Sequence, residues 1–405
     1  MEQTYLYNTL PNGLRIVYQR RQGSVAYCGL AVQAGSRDDG ARLGLAHFVE
    51  HTIFKGTRRR KAWHILNRME RVGGELNAYT TKEETLVYSV FPSGNMARAV
   101  ELIADLVCNS TFPEHEIDKE REVVVEEIDS YRDSPADAIY DDFEDLIFAD
   151  TPLGHNILGN EETLQSLTGA DCLDYVANLY VPTNMVLFAV DSIPAERFFA
   201  LSERYFGAMH HPLHRLSCKP IVAAAPFEHL RDIDAHQSHT IVGTTTFGMH
   251  DSRKYALLLA NNILGGPGMN STLNVAIRER RGYAYTVEST VTLLSDVGLF
   301  TIYFGSDHRH TAKCRRLIDD ELRRIADGGI TERALNAAKK QYIGQLIVSS
   351  ESSENRALSL GKEVLNFGTT LNVEAVANRI RAVSADDIRA VGQMLCRNLS
   401  TLTFR

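Results

Sequence analysis

The chain has 405 residues, 44% hydrophobic and 23% charged, the balance of a globular protein with room for two domains of ordinary size. A formal net charge of -8 argues against nucleic acid as the main partner. No stretch reaches transmembrane length, and the opening MEQTYLYNTL has neither a basic start nor an apolar signal core, so no membrane association is expected. Six scattered cysteines (Cys28, Cys108, Cys172, Cys218, Cys314, Cys396) without a C-x-x-C pair fit free thiols in a reducing compartment, and a cytoplasmic location is expected.

In chain order, a strand is expected over 25–33 and a helix soon after it. That helix carries His47-Phe48-Val49-Glu50-His51. Residues four apart on a helix share a face, so His47 and His51 project together, and two imidazoles on one face suit a zinc ion. Glu50 falls on the same arc, placed to reach water at such a site. Leu45, Ala46, Phe48, Val49 and Ile53 are apolar, as for a helix buried behind a site. The ordinary alternative is a core helix with two satisfied histidines, and H-x-x-E-H, the inverted-zincin signature, competes with it. The basic run Arg58-Arg59-Arg60-Lys61 reads as a solvated loop, with substrate steering as a second reading. Gly73-Gly74 opens a strand that includes Asn77 and Ala78, and another strand is expected over 85–91.

A long amphipathic helix is expected over 113–131, with Ile117, Arg121, Val124, Val125 and Ile128 at helical spacing. Within it, Glu120 and Glu127 are seven apart and share a face adjoining the apolar stripe. Carboxylates leaning toward a core need a partner there. One would bind the metal and the other would take the free N–H of a ligand histidine. Further on, Thr168 and Ser384 each precede an acidic first turn, a helix start signal, and each helix leads to a strand, over 185–190 and 399–404. Strands over 238–246 and 299–304 and a helix over 330–347 repeat the first half at an offset of a little over two hundred residues. A repeat of this size is a domain duplication. The division expected is 1–207, a linker 208–226 interrupted by Pro212, Pro220 and Pro226, and 227–405. Each half reads as α+β, with helices stacked on a sheet. Gly265, Gly266 and Gly268 lack the companions of a phosphate loop, and His250 has no ligand-spaced neighbour.

HFVEH, then FKGT, then EREVVVEEI some seventy-five residues on resembles the family of pitrilysin, insulin-degrading enzyme and the mitochondrial processing peptidase. The resemblance extends through LPNGLRIVYQR, GGELNAYTTKEETLVYSV, PLGHNILGNEETLQSLT, YVPTNMVLFAV and LGGPGMNSTLNVAIRERRGYAYTVES, nearly the whole chain. Val190 replaces a usual glycine and Tyr283 a usual leucine. The resemblance implies a mainly antiparallel sheet in each half, one Zn2+ per chain, Glu127 as third ligand and Glu120 as supporting carboxylate. It implies peptide hydrolysis with Glu50 as general base. Asn77 and Ala78 would hold the substrate backbone on an edge strand, and Arg278 and Tyr285 would serve the oxyanion or the substrate. Many relatives split the two motifs between chains, whereas this chain has both. Larger relatives close a chamber with four such domains, so a homodimer with shared sites is expected, or a heterodimer with a homologous chain. A catalytically silent structural or presequence-binding subunit is the alternative, disfavoured by the intact set His47, Glu50, His51 and Glu127.

Overall fold

A computed structural model describes residues 5–209 and 221–405. His210, His211, Pro212, Cys218 and Pro220 of the expected linker lie outside the described residues. The other five cysteines are free.

Eleven strands are seen among the described residues. They are β1 (Tyr5–Thr9), β2 (Arg15–Arg20), β3 (Val25–Val32), β4 (Glu75–Thr80), β5 (Thr85–Pro92), β6 (Met185–Asp191), β7 (Glu228–Arg231), β8 (Ser238–Phe247), β9 (Ala284–Leu293), β10 (Val297–Ser306) and β11 (Ser400–Phe404). They form two sheets, ordered β1-β2-β6-β3-β5-β4 and β7-β11-β8-β10-β9. Leaving out β1, the two orders are the same path traced twice. Each sheet has one parallel pair, β2 with β6 and β7 with β11, and is otherwise antiparallel. The α+β architecture and the mainly antiparallel sheets expected from the sequence are therefore observed.

Strand composition follows from two-sided burial. Every residue of β6 and β10 is buried, which is why MVLFAV reads as a continuous apolar run, and LFTIYF as one broken only by Thr301, instead of alternating. Along β10, Phe300, Ile302 and Phe304 join one core with Leu257, Ile318 and Ile388. Leu299 and Tyr303 point to the other face, where Ile139 and Phe143 cover them.

The chain packs into two compact units, and neither is one stretch of sequence. The first comprises the described residues of Met1–Ile128, Asn156–Cys218 and Ser350–Leu371; the second, those of Asp129–His155, Lys219–Ser349 and Asn372–Arg405. Helix Ser353–Phe367 covers the outer face of the first sheet, packing Ala357, Leu360 and Val364 on Ala31, Val186 and Phe188. Helix Pro135–Ile147 does the same for the second sheet, on β8 and β11. Each half of the sequence thus lends one helix to the sheet of the other half.

The helix starts expected at Thr168 and Ser384 are both capping boxes. Each hydroxyl accepts from the backbone N–H of Asp171 or Asp387, whose carboxylate returns to the cap. The basic run differs in part from a solvated loop. Arg58 and Arg59 are exposed, but Arg60 is half-buried and binds Glu101 and the buried Asp105, so one of the four side chains is a structural anchor.

Candidate metal centre and active site

The histidine helix, Leu45–Thr52, lies on the inner face of the first sheet. Leu45, Ala46, Phe48 and Val49 fill the core, leaving His47, Glu50 and His51 on the remaining arc. The second helix, Glu114–Arg132, buries Ile117, Val124 and Ile128 on one stripe. That stripe sets its rotation, and Glu120 and Glu127 come round to face the histidines.

The geometry is compact. The two imidazole rings are 4.5 Å apart, centre to centre. Glu127 Oε2 lies 3.3 Å from His51 Nε2 and 3.8 Å from His47 Nε2. One donor atom from each of His47, His51 and Glu127 falls within 4.8 Å of the others. A tetrahedral zinc ion with bonds of roughly 2.0–2.2 Å needs ligand atoms roughly 3.3–3.6 Å apart, so this donor set fits with little movement. His51 Nδ1, on the far side of the ring, lies 3.3 Å from Glu120 Oε2. His47 Nδ1 is buried without a hydrogen-bond partner among the described residues.

The electrostatics follow from burial and crowding. Burial, then the neighbouring His51, depresses the His47 imidazole to about 3, which leaves its lone pair free for a cation. Burial opposes charge on His51 too, but the Glu120 hydrogen bond and the charges of Glu50 and Glu127 outweigh it and raise its pKa. Glu50 is half-buried, and burial raises its carboxyl pKa against the pull of His51 and of hydrogen bonds from Thr80. For Glu120, burial is outweighed by hydrogen bonds with His51 and Lys55, and its pKa falls.

Two residues in direct contact with this cluster were not singled out from sequence. Lys55 Nζ sits 2.5 Å from Glu120 Oε1. Thr80, at the end of β4, hydrogen-bonds Glu50. The FKGT segment contained the lysine, but nothing in its spacing indicated which glutamate it would meet.

β4 is an edge strand, paired only with β5. Asn77 is exposed on it, and Ala78 is half-buried, turned with Leu76 toward the core beneath the histidine helix. In the second unit, Arg278 lies in the last turn of the π-helical segment Asn274–Glu279, and Tyr285 is 75% exposed near the start of β9. Both line a cavity of about 580 Å³ with Gly265, Gly266 and Gly268. Close packing accounts for Gly265, since a Cβ there would stand 2.5 Å from the Ser289 nitrogen. No helix among the described residues is long and apolar enough to cross a membrane.

Comparison with known proteins adds an independent line. Residues 15–161 match the family model described as insulinase (peptidase family M16), and residues 166–342 match that of the peptidase M16 inactive domain. An uncharacterized zinc protease of Mycobacterium tuberculosis is 34% identical over 393 residues, covering 96% of this chain and 90% of its own length. The uncharacterized zinc protease YmxG of Bacillus subtilis is 32% identical over 394 residues, covering 96% and 94%. Among solved structures, a protease from Helicobacter pylori superposes with a TM-score of 0.92 at 21% identity over 100% of this chain and 99% of the other. A peptidase M16 inactive domain from Pseudomonas fluorescens gives 0.90 at 18% identity, covering 99% and 97%. These two likenesses establish the fold alone.

Proposed function

The chain belongs to peptidase family M16, the insulinase family, and from that premise we propose that it is a zinc-dependent endopeptidase whose metal is held by His47, His51 and Glu127, one ion per chain. The observation that carries this reading is the convergence of those three donors beside the half-buried Glu50. The match to an inactive domain covers the half of the chain that lacks the ligand set, so it does not favour a silent subunit.

A zinc ion held there supplies a Lewis acid that polarises the scissile carbonyl and lowers the pKa of a water toward neutrality. Glu50 accepts the proton of the attacking water on its carboxylate and delivers it to the leaving amine. Burial suits Glu50 to this work by raising its proton affinity, and Thr80 orients it. Glu120 fixes the rotation of His51 through Nδ1. The free edge of β4 at Asn77 and Ala78 offers backbone groups to an extended peptide, a mode that tolerates many sequences. Tyr285 is assigned as a donor to the oxyanion and Arg278 as a clamp on the substrate.

The substrates are peptides or unfolded segments admitted to a chamber completed by a second copy, with zinc half and Arg278/Tyr285 half meeting across the dimer. Free thiols at the five described cysteines are in keeping with a cytoplasmic location. The test is cleavage of an unstructured peptide pool. Activity is expected to vanish with a zinc chelator and return with added zinc. Metal-independent cleavage, or no cleavage by the zinc-loaded protein, would overturn the reading.

A further inference from the structure

The histidine helix begins without a cap of its own. Gly44 stands at its N-cap with φ 89°, and its missing side chain can accept nothing from the first turn. A Cβ there would lie 2.6 Å from the Leu158 carbonyl oxygen, so no serine or threonine fits in its place. Eight residues are also too few to hold a helix without outside support.

Asp39 supplies what Gly44 lacks. Its Oδ2 accepts from the Gly44 N–H and its Oδ1 from the Ala46 N–H, each at 2.8 Å. Asp39 is only 5% exposed. Its carboxylate sits where the helix has orphan donors and the positive end of its dipole, and bonds that an anion accepts from backbone N–H groups are about twice as strong as neutral ones. Asp39 is itself fixed, because it caps the end of the turn Ser36–Asp38 and donates its N–H to the Ser36 carbonyl at the start of that turn. That turn pairs with the loop after β4, Ser36 N–H to Thr81 O at 3.1 Å and Arg37 N–H to Lys82 O at 2.8 Å. One carboxylate therefore ties the start of the histidine helix to the end of the edge strand, and the second N–H it holds immediately precedes His47.

We propose that Asp39 is a positioning residue for the metal centre, fixing the first helical turn so that His47 keeps its place opposite Glu127. The inference rests on the zinc reading above. Asparagine at 39 keeps one accepting oxygen but turns an N–H2 toward a backbone N–H. Alanine loses both bonds.

The experiment measures zinc affinity by competition with a chromophoric chelator for the wild-type chain, Asp39→Asn and Asp39→Ala, with thermal unfolding of each metal-free form alongside. Asp39→Ala is expected to bind zinc roughly ten- to a hundredfold more weakly, the range seen when groups that orient metal ligands are lost, with Asp39→Asn between it and wild type. Saturating zinc is expected to restore most of kcat, with KM unchanged. A lowered Tm with wild-type zinc affinity in the folded protein would make Asp39 merely structural and overturn the proposal. If Asp39→Ala does not fold, Asp39→Asn decides, and wild-type affinity there overturns it as well. A wild-type chain that binds no zinc would instead overturn the metal reading on which this one rests.

Discussion

His51 turns its two ring nitrogens to two carboxylates of the same helix, Nε2 to Glu127 and Nδ1 to Glu120, each at 3.3 Å. Seven residues of helix separate the two acids, two turns, so one rigid element grips both sides of the ring. Lys55 holds the other oxygen of Glu120, extending the chain of contacts to a third side chain.

Glu120→Gln is therefore expected to weaken zinc affinity or activity roughly ten- to a hundredfold, because the amide holds the ring less firmly and adds no basicity to it. Lys55→Met acts one contact further out and is expected to cost less. Chelator competition on the two variants checks the order, and an equal or larger loss in Lys55→Met contradicts it.

Glu50→Gln is expected to keep its zinc and its fold while losing turnover, since it removes proton transfer and leaves all three donors intact. Stopped peptide assays with zinc content measured on the same sample separate the two effects. Cleavage near the wild-type rate would refute the assignment of the base.

Arg60 gives a prediction about stability instead of chemistry. Asp105 is 2% exposed and receives bonds from Thr57, Asn109 and Arg60. Arg60→Met leaves the buried Asp105 charge with two neutral donors and only the exposed Arg59, 4.0 Å away, so the loss is expected to be about 3 kcal/mol, the low end for a broken buried pair. Urea unfolding of the metal-free protein measures it, and zinc binding by the folded variant is expected to stay at the wild-type level.

Sharing of sites in trans has its own test. Inactive Glu50→Gln and Tyr285→Phe chains are mixed and allowed to exchange subunits. A mixed dimer would contain one site with both Glu50 and Tyr285, so activity is expected to return. A fully active monomer by sedimentation, or no recovery despite proven exchange, contradicts sharing.

Much of the fold was legible because its signals are local. Spacing set the helix carrying Glu120 and Glu127, and hydroxyl-to-acid steps marked Thr168 and Ser384 as helix starts. The exchange of helices Pro135–Ile147 and Ser353–Phe367 was not legible. Periodicity tells which side of a helix is apolar, but not which sheet that side will cover. The same limit hid Thr80, Lys55 and Asp39, because each acts through a contact between segments distant in sequence or, for Asp39, through backbone N–H groups that every residue but proline carries.

The central claim is that His47, His51 and Glu127 hold one catalytic zinc ion. Elemental analysis of the purified wild-type chain beside His47→Ala and His51→Ala tests it most directly. About one zinc per wild-type chain is expected, with most of it lost in each variant, since two remaining donors hold the ion poorly. Stoichiometric zinc in both histidine variants would contradict the claim.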